Sequence, residues 1–368
     1  MNFLLLTAHD YRTPRKANMH FIAEQLATRG TMRFFSLRYS ALSKRKNDAR
    51  AFLDDRANRV ERVDGVDCYL WKQPIHPFNT HRTWLQPLES AWFGYVAEHV
   101  PSILRQWIRE ADVIFFESGS AILHVALAKR LNPSARLVYI ASDDLDTIGV
   151  AEAVKTRFAV VAPLFDALCV PSPRLAMPPG ARRYFVPHGL EPSLATRGDP
   201  SPYPPGSRVA VSVGSMLFDP TFFRLAAPAF RDLTFHVIGS GLADPQGFAA
   251  NVRFHGEMDH DETLRYIKHA AIGIAPYRAD AVPAYLVETS MKLMQYAFFG
   301  VPAVCPASVT GDLPYRHGYQ PGCAASIAAA IRGALAAPAF APPRFLDWSQ
   351  VTDRLIDPAA FDDTRLAA

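Results

Sequence analysis

Only four cysteines occur in 368 residues (Cys68, Cys169, Cys305 and Cys323), and no two of them stand in C-x-x-C spacing. That pattern excludes a zinc ribbon and a disulfide framework, and it reads as buried thiols in a reducing compartment. No apolar run reaches the roughly 18 residues expected of a membrane span. The opening "MNFLLLTAHDYR" has too short an apolar stretch, and no small-residue cleavage site, for a signal peptide. The expectation from these absences is a cytosolic protein. A dominant charge is missing too. The 39 Lys and Arg face 35 Asp and Glu, a net charge of +4, so no global nucleic-acid footprint exists. A full Gly-x-Gly-x-x-Gly is absent, and "GSGLAD" is a poor substitute, which argues against dinucleotide binding of the dehydrogenase type. His255, His260 and His269 show no ligand spacing, so neither a metal nor a cofactor is expected.

What is present is ordinary core-forming material. Hydrophobic residues make up 49% of the chain and mean hydropathy is near zero, and the length argues for two domains. In the first half, short apolar runs alternate with helical patterns. "NFLLLTA", "MRFFSL", "DVIFFE", "RLVYIAS", "DALCVPS" and "RRYFVPHG" read as strands. A helix after Pro14 carries Ala17, Phe21, Ile22 and Leu26 on one side, and another spans 120–131. Near-continuous apolar strands separated by helices predict a parallel sheet covered on both faces.

Residues 191–207, with five prolines and no apolar periodicity, read as a linker between domains at 1–190 and 208–343. After it the pattern restarts with "RVAVSVG", "TFHVIG", "VRFHG", "IGIAP" and "PAVCP" as strands. The segment 344–368 looks helical and is expected to return to the first domain. The fold class is therefore α/β, with two Rossmann-like domains facing across a cleft where strand C-termini meet and ligands are expected.

Three acids follow the strand "RLVYIAS". Asp143 comes directly after it, where a carboxylate can serve as a general base. Asp144-Leu145-Asp146 is formally D-x-D, a metal-chelating pattern, against which stands the ordinary role of such acids as helix caps. In the second half small residues end successive strands at Gly214, Gly239, Gly256 and Ala275, which lets a ligand approach the backbone. The stretch "ETSMKLMQYAFFGVPAVCP" then reads as a buried helix with a glycine stop. Lys292 and Gln295 share a side near its N-terminus, a place suited to a diphosphate or, more blandly, to solvent. Between Asp10 and Arg50 ten basic residues face three acids, a local patch open to phosphate or an anionic lipid surface. In "TWLQPLESAWFGYVAEHV", Leu85, Leu88, Trp92 and Val96 fall on one helical side. That side packs on the sheet or, with the basic loop nearby, meets a membrane interface.

The pattern K-L-x-Q-Y-x-x-x-G-x-P after a series of Gly-ended strands resembles the donor half of GT-B glycosyltransferases. Over nearly the whole chain, "HDYRTPRKANMHFI", "GVDCYLW", "HPFNT", "YIASDDLDTI", "VGSMLFDP" and "SMKLMQYAFFGVPAVCP" resemble the xanthan-type, GumK-like glucuronosyltransferase family. The resemblance implies an inverting enzyme of exopolysaccharide synthesis. It would move glucuronate from UDP-glucuronate to a mannose of a polyprenyl-diphosphate-linked oligosaccharide. It also implies a peripheral protein on the anionic cytoplasmic face of the inner membrane, working without a bound metal. Asp143 would be the base, and Met216, Glu257, Tyr277, Met291, Lys292 and Gln295 would hold the UDP part. The donor carboxylate needs a cation, for which Arg12, Arg15 and Lys16 are candidates. Many retaining GT-B enzymes have a glutamate at the position of Gln295 and a second acid upstream. Glu288 lies near, but the pair is not reproduced, which agrees with inversion. The competing readings are a UDP-sugar epimerase of the same fold and a non-catalytic, membrane-associated nucleotide-binding scaffold.

Overall fold

Strands this apolar stay in place only when both faces are covered, and in the computed structural model they are. The structure describes all residues except Arg15, Lys46, Asn47, Gly180, Ala181, 243–245, 279–281, Ala367 and Ala368. Two compact units result, one from Met1–Gly189 with Trp348–Ala368, the other from Leu190–Asp347.

The first unit holds an eight-stranded sheet. Its strands are β1 (Asn2–Thr7), β2 (Thr31–Ser40), β3 (Val60–Val63), β4 (Val66–Gln73), β5 (Val113–Glu117), β6 (Arg136–Ile140), β7 (Ala167–Val170) and β8 (Arg183–Phe185). They lie in the order β3-β4-β2-β1-β5-β6-β7-β8. All neighbours pair in parallel except β3 with β4. That hairpin escapes a search for apolar runs because β3 is short and half exposed and Asp67 and Lys72 interrupt β4. Its signal is the dipeptide Asp64-Gly65, both at positive φ (46° and 82°), as a type I′ turn requires. The chain runs outward from β1 through β2 to β3 and β4, then crosses back to place β5 on the other side of β1. The C-terminal ends of β1 and β5 thus form the switch point where α/β sheets bind ligands.

Helix Asn18–Ala27 follows β1 and buries Met19, Ile22, Ala23 and Leu26. The C-terminal helix Trp348–Ile356 packs against it, with the Trp348 ring stacked on Phe21 at 5.0 Å and Arg29 paired to Asp353 at 2.9 Å. Helix Gln86–Glu98 differs from its expected face. Phe93, Val96 and Ala97 are buried, whereas Leu88, Trp92 and Tyr95 are exposed, as is Trp84 in the turn just before the helix. No helix among the described residues is long and apolar enough to cross a membrane.

The second unit holds β9 (Val209–Val213), β10 (Thr234–Ile238), β11 (Val252–His255), β12 (Ile272–Ile274), β13 (Ala303–Pro306) and β14 (Arg316–Tyr319). The order is β11-β10-β9-β12-β13-β14 and every pairing is parallel, which puts the switch point at β9 and β12. Residues 190–207 count with this unit. Tyr203 is buried there and its hydroxyl donates to the Tyr266 carbonyl at 2.6 Å.

Helix Met291–Phe298 lies over β12 and β13. It ends in a Schellman motif: Gly300 takes φ 69°, its N–H donates to the Ala297 carbonyl, and the Val301 N–H donates to that of Tyr296. Gly273 on β12 is what allows the helix so close. A Cβ there would collide with the Tyr296 ring, whose hydroxyl donates toward the Ile274 and Val211 carbonyls.

Candidate active site

In the first unit the switch point gathers a carboxylate pair. Glu117 ends β5 and is almost wholly buried. Thr7, at the end of β1, donates its hydroxyl to one Glu117 oxygen. The other oxygen accepts from the Ser142 hydroxyl at 2.9 Å and lies 3.5 Å from His9 Nε2. Burial by itself raises the Glu117 pKa. The His9 charge and the hydrogen bonds from His9, Thr7 and Ser142 outweigh it, and the group stays below its ordinary value.

Asp143 follows, its backbone N–H donating to the Ser118 hydroxyl at 3.3 Å. Burial, and then the negative charge of Glu117, push its carboxyl up to about 7. Two neighbouring carboxylates shifted in opposite directions, Glu117 down and Asp143 up, are a usual sign of an acid or base with its electrostatic partner. The two acids after Asp143 are employed locally. Asp144 accepts from the backbone N–H groups of Asp146 and Thr147 at 2.9 and 3.0 Å, and Asp146 pairs with Lys155 at 2.7 Å. Among the described residues no group of His, Cys, Asp and Glu is arranged to hold a metal ion.

His9 and Glu117 were not singled out from sequence. A signal existed for each: an acid closing the otherwise apolar "VIFFE", and a histidine two residues past the first strand.

In the second unit the loops after β9 and β12 are stitched together. Asp219 N–H donates to the Pro276 carbonyl at 2.7 Å and Arg278 N–H to that of Leu217 at 2.9 Å. Gly214, Gly239 and Gly241 all take positive φ, as does Leu217 at 51°. This brings Met216, 38% exposed, to the same strand ends as Tyr277, which is buried. Glu257 is exposed beside the Gly239 turn, where a Cβ would lie 4.0 Å from its Cγ.

Ser290 caps helix Met291–Phe298 by accepting the Leu293 N–H, and its hydroxyl is bonded to that of Tyr277. In the first turn Met291 is half-buried, while Lys292 and Gln295 are each only 8% exposed. The Lys292 ammonium lies 4.9 Å from the centre of the Tyr277 ring and has no hydrogen-bond partner among the described residues. Burial alone lowers its pKa to about 8. A buried cation without an anion is costly, and it stands where a helix N-terminus already favours negative charge.

Of the three candidates for a carboxylate-binding cation, Arg12 is committed elsewhere. Its guanidinium grips buried Asp10 with 2.8 Å contacts and also bonds Glu61, and its side chain is 3% exposed. The reason is that Asp10, fully buried after β1, needs a counter-charge. Lys16 pairs with Glu24 at 2.6 Å, and Arg15 lies outside the described residues.

A family model described as the N-terminal domain of glucuronosyltransferase GumK matches residues 5–171. The UDP-glucuronate:glycolipid 2-beta-glucuronosyltransferase of Xanthomonas campestris pv. campestris is 54% identical over 366 residues, covering 99% of this chain and 91% of its own. Among solved structures, Anabaena HepE in complex with UDP and glucose is similar at TM-score 0.65 and 14% identity, covering 98% of this chain and 99% of its own. The E. coli trehalose-6-phosphate protein bound with UDP-2-fluoro glucose matches at TM-score 0.62 and 10% identity, covering 97% and 94%. At such identities these two speak for the fold, which is GT-B. The relative at 54% identity speaks for more: the chain belongs to the GumK glucuronosyltransferase family.

Proposed function

We propose that this protein transfers glucuronate from UDP-glucuronate to a glycolipid, with Asp143 as general base and Lys292 at the donor diphosphate. The finer acceptor in this reading is a mannose of a polyprenyl-diphosphate-linked oligosaccharide used in exopolysaccharide synthesis. The observation that carries it is the buried Lys292 ammonium at a helix N-terminus, which has no hydrogen-bond partner among the described residues. It sits in a chain whose 54%-identical relative is named for a UDP-sugar donor.

The donor carries its sugar in α linkage, and the relative's name specifies a β product. A single displacement with inversion accounts for that change. The acceptor oxygen attacks the anomeric carbon, the C–O bond to UDP breaks, and the hydroxyl proton leaves to a base. Asp143, with a carboxyl near 7, can take that proton at neutral pH. Lys292 and the free N–H groups of its helix offset the charge growing on the departing UDP. Tyr277 and Ser290 hold that turn in place, and Met216, Glu257, Met291 and Gln295 complete the nucleotide contacts. The direct test is UDP release from a panel of UDP-sugars with a synthetic mannose-terminated lipid acceptor. Release from UDP-glucuronate only with acceptor present is expected. Conversion of donor alone would instead indicate an epimerase.

The pH profile gives a second test. Asp143 must be ionised to act, so kcat/KM rises with pH through about 7. Glu117 raises that pKa through its charge, so Glu117→Gln moves the rise toward lower pH. An unmoved or upward-shifted limb would remove Glu117 from this role.

A peripheral position on the anionic inner face of a membrane fits the same reading. Trp84, in the turn leading into helix Gln86–Glu98, and Leu88 and Tyr95 on that helix are 74%, 66% and 51% exposed. The double change Trp84→Ser, Leu88→Ser is expected to weaken binding to phosphatidylglycerol vesicles by about tenfold or more, as loss of two buried apolar side chains implies. Turnover on a short, soluble acceptor should persist. Unchanged vesicle binding would sink the assignment.

A further inference from the structure

A cavity of about 590 Å³ adjoins the Asp143 cluster within the first unit, lined among others by Arg38, Asp48, Arg50, His76, Asn79 and Ile148. Its size falls in the range of small-molecule sites, about 300–1,000 Å³. Ala8, also on its wall, precedes His9, and Ile148 lies on the loop that begins at Asp143.

The charges in this cavity do not cancel. Arg50 is fully engaged: it holds Asp48 through two contacts of 2.8 and 2.9 Å and donates to the carbonyls of Ala8, Leu37 and Arg38. With Asp48 thus neutralised, Arg38 is left over. It is exposed to solvent and makes no hydrogen bond or ion pair through its side chain with any described residue.

Its placement is built into the backbone. Between Ser36 and Tyr39 the pairing of β2 with β4 slips by one residue, so β2 carries a bulge. Arg38 sits in that bulge at φ 59°, a left-handed conformation that is unfavourable for a long side chain. His81, elsewhere on the cavity wall, is strained likewise at φ 56°. Bulges beside active sites re-aim a side chain, and strained residues cluster at ligand clamps.

We propose that this cavity is the subsite for the diphosphate of the acceptor glycolipid, with Arg38 as its principal cation. The inference rests on the glucuronosyltransferase reading above. In that reading the acceptor hydroxyl meets Asp143, and the diphosphate that links the oligosaccharide to its lipid is strongly anionic. A guanidinium free to form a bidentate pair is the natural partner for it.

The test uses Arg38→Asn, since asparagine tolerates left-handed backbone and the fold should survive. Two acceptors are compared, a mannose-terminated oligosaccharide on a prenyl diphosphate and the same oligosaccharide on an alkyl chain. The ratio of kcat/KM between them should fall about 10- to 100-fold in the variant, the weight of a charge-assisted hydrogen bond. KM for UDP-glucuronate should hold, and Arg38→Lys should recover part of the loss. An unchanged ratio overturns the proposal, and so does a loss confined to UDP-glucuronate but spared with UDP-glucose, which would assign Arg38 to the donor carboxylate.

Binding of geranyl diphosphate, followed by calorimetry, reads the same site without turnover. It should be weakened in Arg38→Asn and retained in Lys292→Ala, and the reverse result also overturns the proposal. Sedimentation with phosphatidylglycerol vesicles should be equal in wild type and Arg38→Asn, because a loss there would give Arg38 to a lipid headgroup. If wild-type protein binds geranyl diphosphate at Arg38 yet transfers no glucuronate, the activity reading fails and the anion site stands.

Discussion

Asp143→Asn is expected to lower turnover by about 10²- to 10⁴-fold, the usual contribution of a general base, with UDP affinity unchanged. The substitution keeps the shape of the side chain and leaves the backbone N–H to Ser118 Oγ bond untouched, so the loss belongs to the proton transfer. The site itself argues for a large effect. Burial and the fixed charge of Glu117 make Asp143 a stronger base than an exposed aspartate, and an amide keeps none of that basicity. The rise of kcat/KM through about pH 7 should vanish together with the rate. Single-turnover rates with saturating donor, alongside UDP titration by calorimetry, separate the two quantities. Near-normal turnover would take Asp143 out of the mechanism.

Lys292→Met is expected to change affinity and stability in opposite directions. The ammonium is buried and makes no hydrogen bond with any described residue, so a methionine of similar length removes a poorly compensated charge and the free protein should melt at a higher temperature. UDP should bind about 10- to 100-fold more weakly, as expected for a lost hydrogen bond to a charged group. The pH dependence has a definite sign. In the free protein the lysine titrates near 8, and a bound diphosphate raises that value. Wild-type UDP affinity should therefore be level below about pH 8 and decline above it, with proton uptake on binding. Calorimetry in buffers of different ionisation enthalpy measures that uptake, and it should be absent in Lys292→Met. A variant that melts lower and binds UDP normally would make Lys292 a structural residue.

How much of this could be read from the chain depended on the range of the interaction. The central strands were legible because burial on both faces leaves an unbroken apolar run, as in "NFLLLT" and "VIFFE". Helix Met291–Phe298, with its glycine stop and paired Lys292 and Gln295, was legible because caps and helical spacing are local. The hairpin of β3 and β4 was not, since half-exposed β3 carries weak patterning and Asp67 and Lys72 interrupt β4, and β14, Arg-His-Gly-Tyr, was too polar to stand out. On helix Gln86–Glu98 periodicity marked an apolar side but not which apolar residues the neighbouring helical segments Ser120–His124 and Glu152–Val161 would take. The surroundings of Asp143 were least accessible. Glu117 meets Thr7 across 110 residues, and nothing near either one announces the other. Arg12 shows the converse: a conspicuous cation in a basic stretch spends its charge on a buried Asp10 that composition does not reveal.

The contact of Gly273 with Tyr296 has a consequence for inheritance. Gly273 touches no nucleotide in the proposed reading, yet any larger residue there must displace the Tyr296 ring and the helix that carries Lys292. A survey of random substitutions scored by UDP retention should therefore rank position 273 among the ligand-binding positions. Variation reaching Lys292 through this strand would be filtered as strictly as variation at Lys292 itself.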